Sequence, residues 1–194
     1  SIGEWVLREA CEQKRRWERA GLGDFTMAVN VSRRQFRGPE FEAQVASALR
    51  DTGVRPDRLE MEVTENALVD DVEQTLRSLL CLRRMGVGLA IDDFGTGYSS
   101  LSVLAQFPAN RLKIDQAFVR DIAREPRRAA ITRAVLAVAS ELGLDVVAEG
   151  VETSEERDFL AEIGCSRMQG YLFGRPVPAE EFASTWADGG ELPD

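Results

Sequence analysis

The chain contains no histidine among its 194 residues. This absence excludes catalysis in which a histidine activates serine or cysteine, and it excludes zinc sites with histidine ligands. Cysteine is scarce, because the sequence holds only Cys11, Cys81 and Cys165. These three residues are far apart and form no C-x-x-C spacing. We therefore expect small apolar side chains of the core, and neither a disulfide framework nor a zinc site.

Long apolar segments are missing as well. No run approaches the roughly 20 residues that span a bilayer, and the first residues do not resemble a signal peptide. We expect a cytoplasmic location, with any membrane anchor of the parent protein supplied by segments outside this chain. The net charge of −9 argues against DNA or RNA polymers as partners, because proteins that bind them carry a basic face.

Apolar periodicity and turn residues predict strands that alternate with helices. This alternation indicates an α/β fold with a parallel sheet, and both a doubly wound sheet and a (β/α) barrel fit it. Without an internal linker, residues 1–187 are interpreted as one domain and residues 188–194 as a disordered tail. Strands are expected at 25–31, 58–63, 87–92, 111–114, 145–149 and 167–171, and the main helices at 3–20, 40–51, 70–85, 127–142, 153–163 and 179–187.

Each predicted strand is mostly apolar yet carries a polar residue at or near its carboxyl end. A single such residue is explained equally well as a structural polar group or a turn residue. Six strands with the same pattern favour a barrel, because its carboxyl strand ends converge on one face where such enzymes carry out their chemistry. The residues are Asn30, Glu62, Asp92, Asp93, Lys113, Glu149 and Gln169.

These side chains offer carboxylate and amide oxygens, which suit Mg²⁺ or Mn²⁺ better than zinc. Adjacent Asp92 and Asp93 can serve two cations about 3.5–4 Å apart, an arrangement that clamps a phosphoryl group. Lys113 is one of only two lysines among 24 basic residues. It would hold or deprotonate a water, or act as a charge partner of the carboxylates. Metal-assisted phosphate-ester hydrolysis is the leading hypothesis, and a Mg²⁺-dependent lyase or isomerase is the alternative.

Six motifs together resemble the EAL domain family, the cyclic di-GMP phosphodiesterases of bacteria. The resemblance runs in the family's order from the first helix to about residue 186. Its motifs are N-V-S at 30–32, E-V-T-E at 62–65, D-D-F-G-T-G-Y-S-S-L at 92–101, L-K-I-D at 112–115, A-E-G-V-E-T at 148–153 and Q-G-Y-L-F-G-R-P at 169–176.

The resemblance implies a modified TIM barrel with one antiparallel strand, and hydrolysis of cyclic di-GMP to linear pGpG with Mg²⁺ or Mn²⁺. It implies that Lys113, Glu149 and Glu152 are catalytic, with Lys113 activating the water. By motif position, Asn30, Glu62 and Asp92 correspond to ligands of one metal, and Asp92, Asp93 and Glu149 to ligands of the other.

The remaining family positions concern substrate and the 93–101 loop. Gln169 corresponds to a residue that holds water or substrate. Glu65 corresponds to the glutamate that anchors the loop, whose glycines Gly95 and Gly97 are present; the loop is implied to couple a dimer interface to metal binding. The family's guanine pocket corresponds to Tyr171, Phe173 and Pro176.

One departure concerns the Glu-Ala-Leu motif that names the family, which lies before the N-V-S strand. The chain begins at Ser1, without a methionine, so we interpret it as a fragment that lacks this motif and two strands. We expect the isolated fragment to be inactive or nearly so, with an incomplete barrel and a competent parent enzyme. The parent is expected to form a homodimer and to carry upstream sensor or diguanylate cyclase domains. The alternative is a catalytically inactive module that binds cyclic di-GMP as a sensor.

Overall fold

The structure is a computed structural model that describes residues 1–36, 38, 40–65, 67, 72–95 and 104–187. The expected disordered tail, 188–194, lies outside this range. The strands are β1 (Met27–Val31), β2 (Leu59–Thr64), β3 (Gly88–Phe94), β4 (Arg111–Ile114), β5 (Asp145–Ala148) and β6 (Arg167–Met168). The helices are α1 (Ile2–Arg19), α2 (Arg33–Phe36), α3 (Phe41–Thr52), α4 (Val72–Arg84), α5 (Gln116–Val119), α6 (Pro126–Glu141), α7 (Ser154–Glu162) and α8 (Ala179–Ala187), with a 3-10 turn at Pro56–Arg58.

The six strands form a sheet in the order β1-β2-β3-β4-β5-β6. The pairs β1–β2, β3–β4, β4–β5 and β5–β6 are parallel. A doubly wound sheet reverses its strand order at a switch point, whereas successive β/α units of a barrel add strands in chain order. The structure thus confirms the predicted alternation and parallel sheet, with the strand order of a β/α barrel.

The chain divides into two compact units, and the first covers Ser1–Leu89 and the segment from Val177 through α8. Its helix α1 begins with a capping box between Ser1 and Glu4 and packs against β1 and α3. The ring of Trp17 lies 4.8 Å from that of Phe182, centroid to centroid, and its Nε1–H donates to the Ala179 carbonyl oxygen at 3.2 Å. These contacts join α1 to α8.

The second unit covers Ala90–Pro176. Its apolar core is formed by side chains from β4, α5, β5, α7 and the connecting segments. The buried members of this core are Ile114, Val119, Ile122, Ala148, Val151, Leu160 and Cys165. Because β4 and β5 place their apolar side chains in this core, the polar residues at their carboxyl ends are held on a rigid base.

Two of the three cysteines lie in the core as predicted, whereas Cys81 is only partly buried. All three are free, with Cys11 and Cys165 buried. Burial raises the pKa of the Cys11 thiol to about 11, although the nearby Arg8 lowers it. A thiol in this environment stays protonated at neutral pH and acts as a small apolar group.

Among the helices of the described ranges, none combines the length and apolar character that crossing a bilayer requires.

Candidate metal centre

Lys113 lies in β4 with only 6% of its side chain exposed, and it contacts two carboxylates. Its Nζ is 3.2 Å from Oδ1 of Asp92 and 2.7 Å from Oε1 of Glu149. The parallel register pairs Lys113 with Val147, and the Glu149 N–H donates to the Ile114 carbonyl oxygen at 3.0 Å. The ends of β4 and β5 therefore meet where these charges lie. A buried ammonium group requires such partners, which explains a lysine in an otherwise apolar strand.

A local irregularity in β3 brings two consecutive aspartates to the same cluster. The register of β3 against β4 shifts between Ile91 and Phe94. At this shift Asp93 adopts a left-handed conformation with φ 55°, and its N–H donates to Oδ1 of Asp92 at 3.1 Å. Neighbouring side chains of a regular strand point to opposite faces, and a bulge changes this direction. Oxygens of Asp92, Asp93 and Glu149 accordingly lie within 4.8 Å of one another.

This cluster has the chemistry of a site for a hard divalent cation. Its ligand atoms are all carboxylate oxygens, as Mg²⁺ and Mn²⁺ prefer. Burial raises the pKa of Asp93, as do the charges of Asp92 and Asp115, while Lys113 lowers it. The negative charge therefore exceeds what Lys113 compensates, and a bound cation would offset it. No other group of three acidic or cysteine side chains at this spacing occurs in the described part of the chain.

A cavity of about 290 Å³ opens beside the cluster. Asp115 is one of its wall residues and also the N-cap of α5, because its Oδ1 accepts the Ala117 N–H at 2.8 Å. Asp115 and Gln116 were not among the predicted site residues, although Asp115 follows β4 directly and so satisfies the same rule of polar residues at strand ends. The cavity is lined by Asp93, Asp115, Gln116, Glu149, Gly150, Glu152, Gln169, Gly170 and Tyr171.

Backbone hydrogen bonds fix the segments that follow β5 and β6. The Gln169 N–H donates to the Ala148 carbonyl oxygen at 2.8 Å. The Val151 N–H donates to the Gln169 carbonyl oxygen at 3.0 Å, and the Leu172 N–H donates to the Val151 carbonyl oxygen at 3.1 Å. Gly170 permits this approach, since a Cβ there would lie 2.1 Å from the Val151 carbonyl oxygen. Gln169 is thus held beside the segment that carries Glu149, in the wall of the same cavity.

The other predicted catalytic and substrate residues are only partly brought together. Glu152 is exposed and Tyr171 is 51% exposed, and both line the cavity. The guanidinium of Arg175, which was not among the predicted site residues, lies 4.3 Å from the centroid of the Tyr171 ring. Phe173 instead packs against the apolar core of the second unit, and Pro176 is exposed outside the cavity wall.

The predicted residues of the first unit lie on its two paired strands. Asn30 of β1 and Glu62 of β2 are partners in the parallel register, and Asn30 is exposed while Glu62 is buried. Glu65 follows β2 directly and is 2% exposed. The strand pairing therefore places Asn30 and Glu62 side by side at the carboxyl ends of β1 and β2, as the sequence pattern predicts.

The glycines predicted to shape the 93–101 loop differ in what can be described. Gly95 follows β3 with φ +99°, a conformation that favours glycine, and a Cβ there would lie 2.6 Å from the ring of Phe118. Gly95 therefore meets both a conformational and a spatial requirement. Gly97 lies outside the described residues, as does most of the loop.

Comparison with curated proteins identifies close relatives. The chain is 46% identical over 186 residues to MucR of Pseudomonas aeruginosa, named a bifunctional diguanylate cyclase/cyclic di-GMP phosphodiesterase. It is 44% identical over 184 residues to NbdA of the same organism, named a cyclic di-GMP phosphodiesterase. These alignments cover 96% and 93% of the chain and 27% and 24% of the relatives. The chain thus spans about a quarter of the length of these curated relatives.

Related solved structures also carry names that refer to cyclic di-GMP or to the EAL domain. A MucR phosphodiesterase structure in complex with c-di-GMP matches with a TM-score of 0.89 at 46% identity, covering 93% of this chain and 73% of that one. The EAL domain of Mycobacterium smegmatis DcpA matches with a TM-score of 0.93 at 40% identity, covering 98% and 86%. Klebsiella pneumoniae BlrP1, in a manganese/cy-diGMP complex, matches with a TM-score of 0.77 at 38% identity, covering 88% and 45%. The family model for the EAL domain matches residues 1–176, and the chain belongs to this family.

Proposed function

We propose that this chain forms part of a phosphodiesterase that hydrolyses cyclic di-GMP to linear pGpG with Mg²⁺ or Mn²⁺. The observation that carries the proposal is the cluster of Asp92, Asp93 and Glu149, with Lys113 paired to two of its members. Relatives named as cyclic di-GMP phosphodiesterases, and a related structure with manganese and cyclic di-GMP, support it.

The residues of the cluster fit the cation by charge and by ligand type. Asp92, Asp93 and Glu149 would hold it. Bound there, a divalent cation would supply positive charge that offsets the charge developing on the phosphate oxygens. Lys113 fixes the orientation of Asp92 and Glu149 through its ion pairs and adds a further positive charge at the same place.

Hydrolysis adds one water across one phosphodiester. The water oxygen bonds to phosphorus and the water gives up one proton, the bond from phosphorus to a ribose oxygen breaks, and the departing ribose oxygen takes up one proton. We propose that Lys113 holds the attacking water, and that Glu152 and Gln169 orient the water or the phosphate from the cavity wall. The exposed ring of Tyr171, on the same wall, offers a surface for a guanine base.

The remaining roles rest on the family resemblance. We propose that Asn30 and Glu62 serve a further cation together with Asp92, and that Glu65 anchors the loop containing Gly95 and Gly97. We also propose a homodimer and upstream sensor or diguanylate cyclase domains. The relatives support further domains, since this chain spans only 27% of MucR, whose name includes a diguanylate cyclase.

The direct test is turnover of cyclic di-GMP by the intact protein, followed by chromatography, with Mg²⁺, with Mn²⁺ and with a chelator. We expect linear pGpG only when a divalent cation is present. Glu149→Gln removes one ligand charge and should lower kcat by at least about 100-fold. Glu141→Gln is the matched control, because Glu141 is exposed on α6 and should leave turnover unchanged.

Two other outcomes would overturn the proposal in different ways. Tight binding of cyclic di-GMP without turnover, under every cation tested, would establish the sensor function instead. Turnover that survives complete chelation would contradict the role of the carboxylate cluster. Lys113→Met separates binding from chemistry, and we expect it to retain nucleotide binding while losing turnover.

A further inference from the structure

Glu156, on the first turn of α7, binds more backbone groups than helix capping requires. Its side chain is buried, with 5% exposure. Its Oε2 accepts the N–H groups of Glu152 at 2.9 Å and Thr153 at 3.1 Å, and its Oε1 accepts the N–H of Asp121 at 2.8 Å. The bond with Thr153 belongs to a capping box, but the bonds with Glu152 and Asp121 do not.

The three donors favour a charged carboxylate at this position. Burial raises the pKa of Glu156, but the N–H groups of Glu152, Asp121 and Thr153 more than offset this effect and hold the pKa below its ordinary value. An ionised carboxylate has acceptors on both oxygens, whereas glutamine has an acceptor on one and an NH₂ group on the other. Glutamine would therefore turn a donor toward at least one of the three N–H groups.

The segment that Glu156 holds is the one that begins with the cluster residue Glu149. The backbone N–H of Glu149 is bonded to β4, and that of Val151 is bonded to Gln169. The next two N–H groups, of Glu152 and Thr153, are both bonded to Glu156. Glu156 thus fixes the far end of a five-residue segment whose near end supplies a carboxylate to the cation cluster.

The third donor extends this support to a second segment. Asp121 follows α5 and adopts a left-handed conformation with φ 54°, which is uncommon for residues other than glycine and needs support from its surroundings. The other end of α5 is capped by Asp115, which lies in the cavity wall beside Asp93. The buried Glu156 carboxylate therefore holds two segments that reach the cavity wall. One runs from Asp115 to Asp121, and the other contains Glu152.

We propose that Glu156 is a positioning residue of the cation site, which it acts on through the backbone of residues 149–153. The inference rests on the proposed function, because it assumes that the cluster binds a divalent cation. Supporting residues beyond the direct ligands typically change metal affinity by about 10–100-fold when they are replaced. Since Glu156 acts through backbone and not directly on a ligand side chain, we expect an effect near the lower end, about tenfold.

The test compares Mn²⁺ binding, measured by calorimetry on the intact protein, with the melting temperature of each variant. Glu156→Gln should weaken Mn²⁺ binding about tenfold. Glu155→Gln is the matched control on the same helical turn, because it removes the same charge from an exposed pair with Arg124 and should leave Mn²⁺ affinity unchanged. Thr153→Ala removes the helix-capping hydroxyl but keeps the N–H that Glu156 accepts, so it should lower the melting temperature while changing Mn²⁺ affinity less than Glu156→Gln does.

If Glu156→Gln does not fold, Glu156→Asp replaces it, since the shorter carboxylate cannot reach both segments at once. Wild-type Mn²⁺ affinity in a folded Glu156 variant would overturn the inference and leave only a capping role. Mn²⁺ binding by the wild type without turnover of cyclic di-GMP would contradict the proposed function and leave the inference standing. Failure of the wild type to bind Mn²⁺ would overturn both.

Discussion

At the residue scale, Asp93 combines a conformational cost with an electrostatic one. Its φ of 55° is a left-handed conformation that asparagine tolerates at least as well as aspartate. Burial, Asp92 and Asp115 raise its pKa despite Lys113. Asp93→Asn should therefore stabilise the metal-free protein at neutral pH, raising Tm on the order of 2 °C, while weakening Mn²⁺ binding.

The pH dependence of this variant follows from the direction of the shift. A carboxyl group whose pKa is raised by folding stabilises the native state at pH values below its ordinary pKa. This stabilisation is lost as the pH rises through the pKa of the native state. The advantage of Asp93→Asn in thermal melts without metal should thus grow with pH and shrink on acidification. An advantage that grew on acidification would contradict the shift. Asp93→Ala is the comparison, because it also removes the charge but fits the left-handed conformation poorly.

The site residues that the sequence could identify are those that interrupt the apolar pattern of a strand. Lys113 and Glu149 were found because each is a charged residue in or directly after an apolar strand. Glu156 was not among the predicted site residues, since its bonds to Asp121 and Glu152 depend on tertiary structure. Arg175 was missed because stacking on Tyr171 leaves no signal in composition or spacing.

At the scale of elements, the close approach of two connecting segments can be tested with a pair of glycines. A Cβ on Gly170 would lie 2.1 Å from the Val151 carbonyl oxygen and 2.3 Å from its nitrogen, whereas Gly174 has no such neighbour within 4 Å. Gly170→Ala must push the segments after β5 and β6 apart, and we expect it to cost about 2–3 kcal/mol and to weaken Mn²⁺ binding. Gly174→Ala should be within about 0.5 kcal/mol of wild type.

These free energies are measured by denaturant unfolding of both variants under identical conditions. Equal stability of Gly170→Ala and Gly174→Ala would show that the segments can separate freely. Reduced stability with unchanged Mn²⁺ binding would show that their contact does not position the cluster.

Helix α1 contains an ion pair whose two halves should respond differently to substitution. Lys14 is fully buried, with its Nζ 2.7 Å from Oε1 of Glu18 and 4.4 Å from the centroid of the Phe25 ring. Lys14→Met removes a buried charge while keeping the apolar stem, so stability should be unchanged or higher. Glu18→Gln leaves the ammonium without its partner carboxylate and should cost about 2–3 kcal/mol in urea unfolding. The opposite order of stabilities would contradict this account.

Element positions followed closely from the sequence, and the differences have local causes. The helix expected at 127–142 is observed at Pro126–Glu141, and the strand expected at 167–171 is reduced to Arg167–Met168. The strand does not continue through Gly170, because the Gly170 carbonyl oxygen accepts the N–H groups of Phe173 and Gly174 in a turn. The short helices α2 and α5 were not predicted, because four residues are too few to show a helical period.

At the scale of the whole molecule, divalent cations should stabilise the native state. A ligand that binds only the native protein, at a hundredfold excess over its Kd, stabilises it by about 2.7 kcal/mol. For a protein of this size that corresponds to a rise in Tm of roughly 5–10 °C. We expect this rise with Mn²⁺ in thermal melts and its loss in Asp92→Asn. An equal rise in Tm for the wild type and Asp92→Asn would show that the stabilising cation binds at another site.

The family and strand order could be predicted at this scale because six motifs keep their order along the chain. No change in composition marks Leu89, where the first segment of one compact unit ends. That boundary lies inside β3, whose first residues belong to one unit and whose aspartates belong to the other.

An anomalous difference map at the manganese edge, from crystals of the intact protein grown with Mn²⁺, tests directly whether Asp92, Asp93 and Glu149 bind a divalent cation. We expect a peak within about 2.0–2.3 Å of carboxylate oxygens from Asp92, Asp93 and Glu149. A map with no manganese at these three residues, although the ion is bound elsewhere in the crystal, would contradict it.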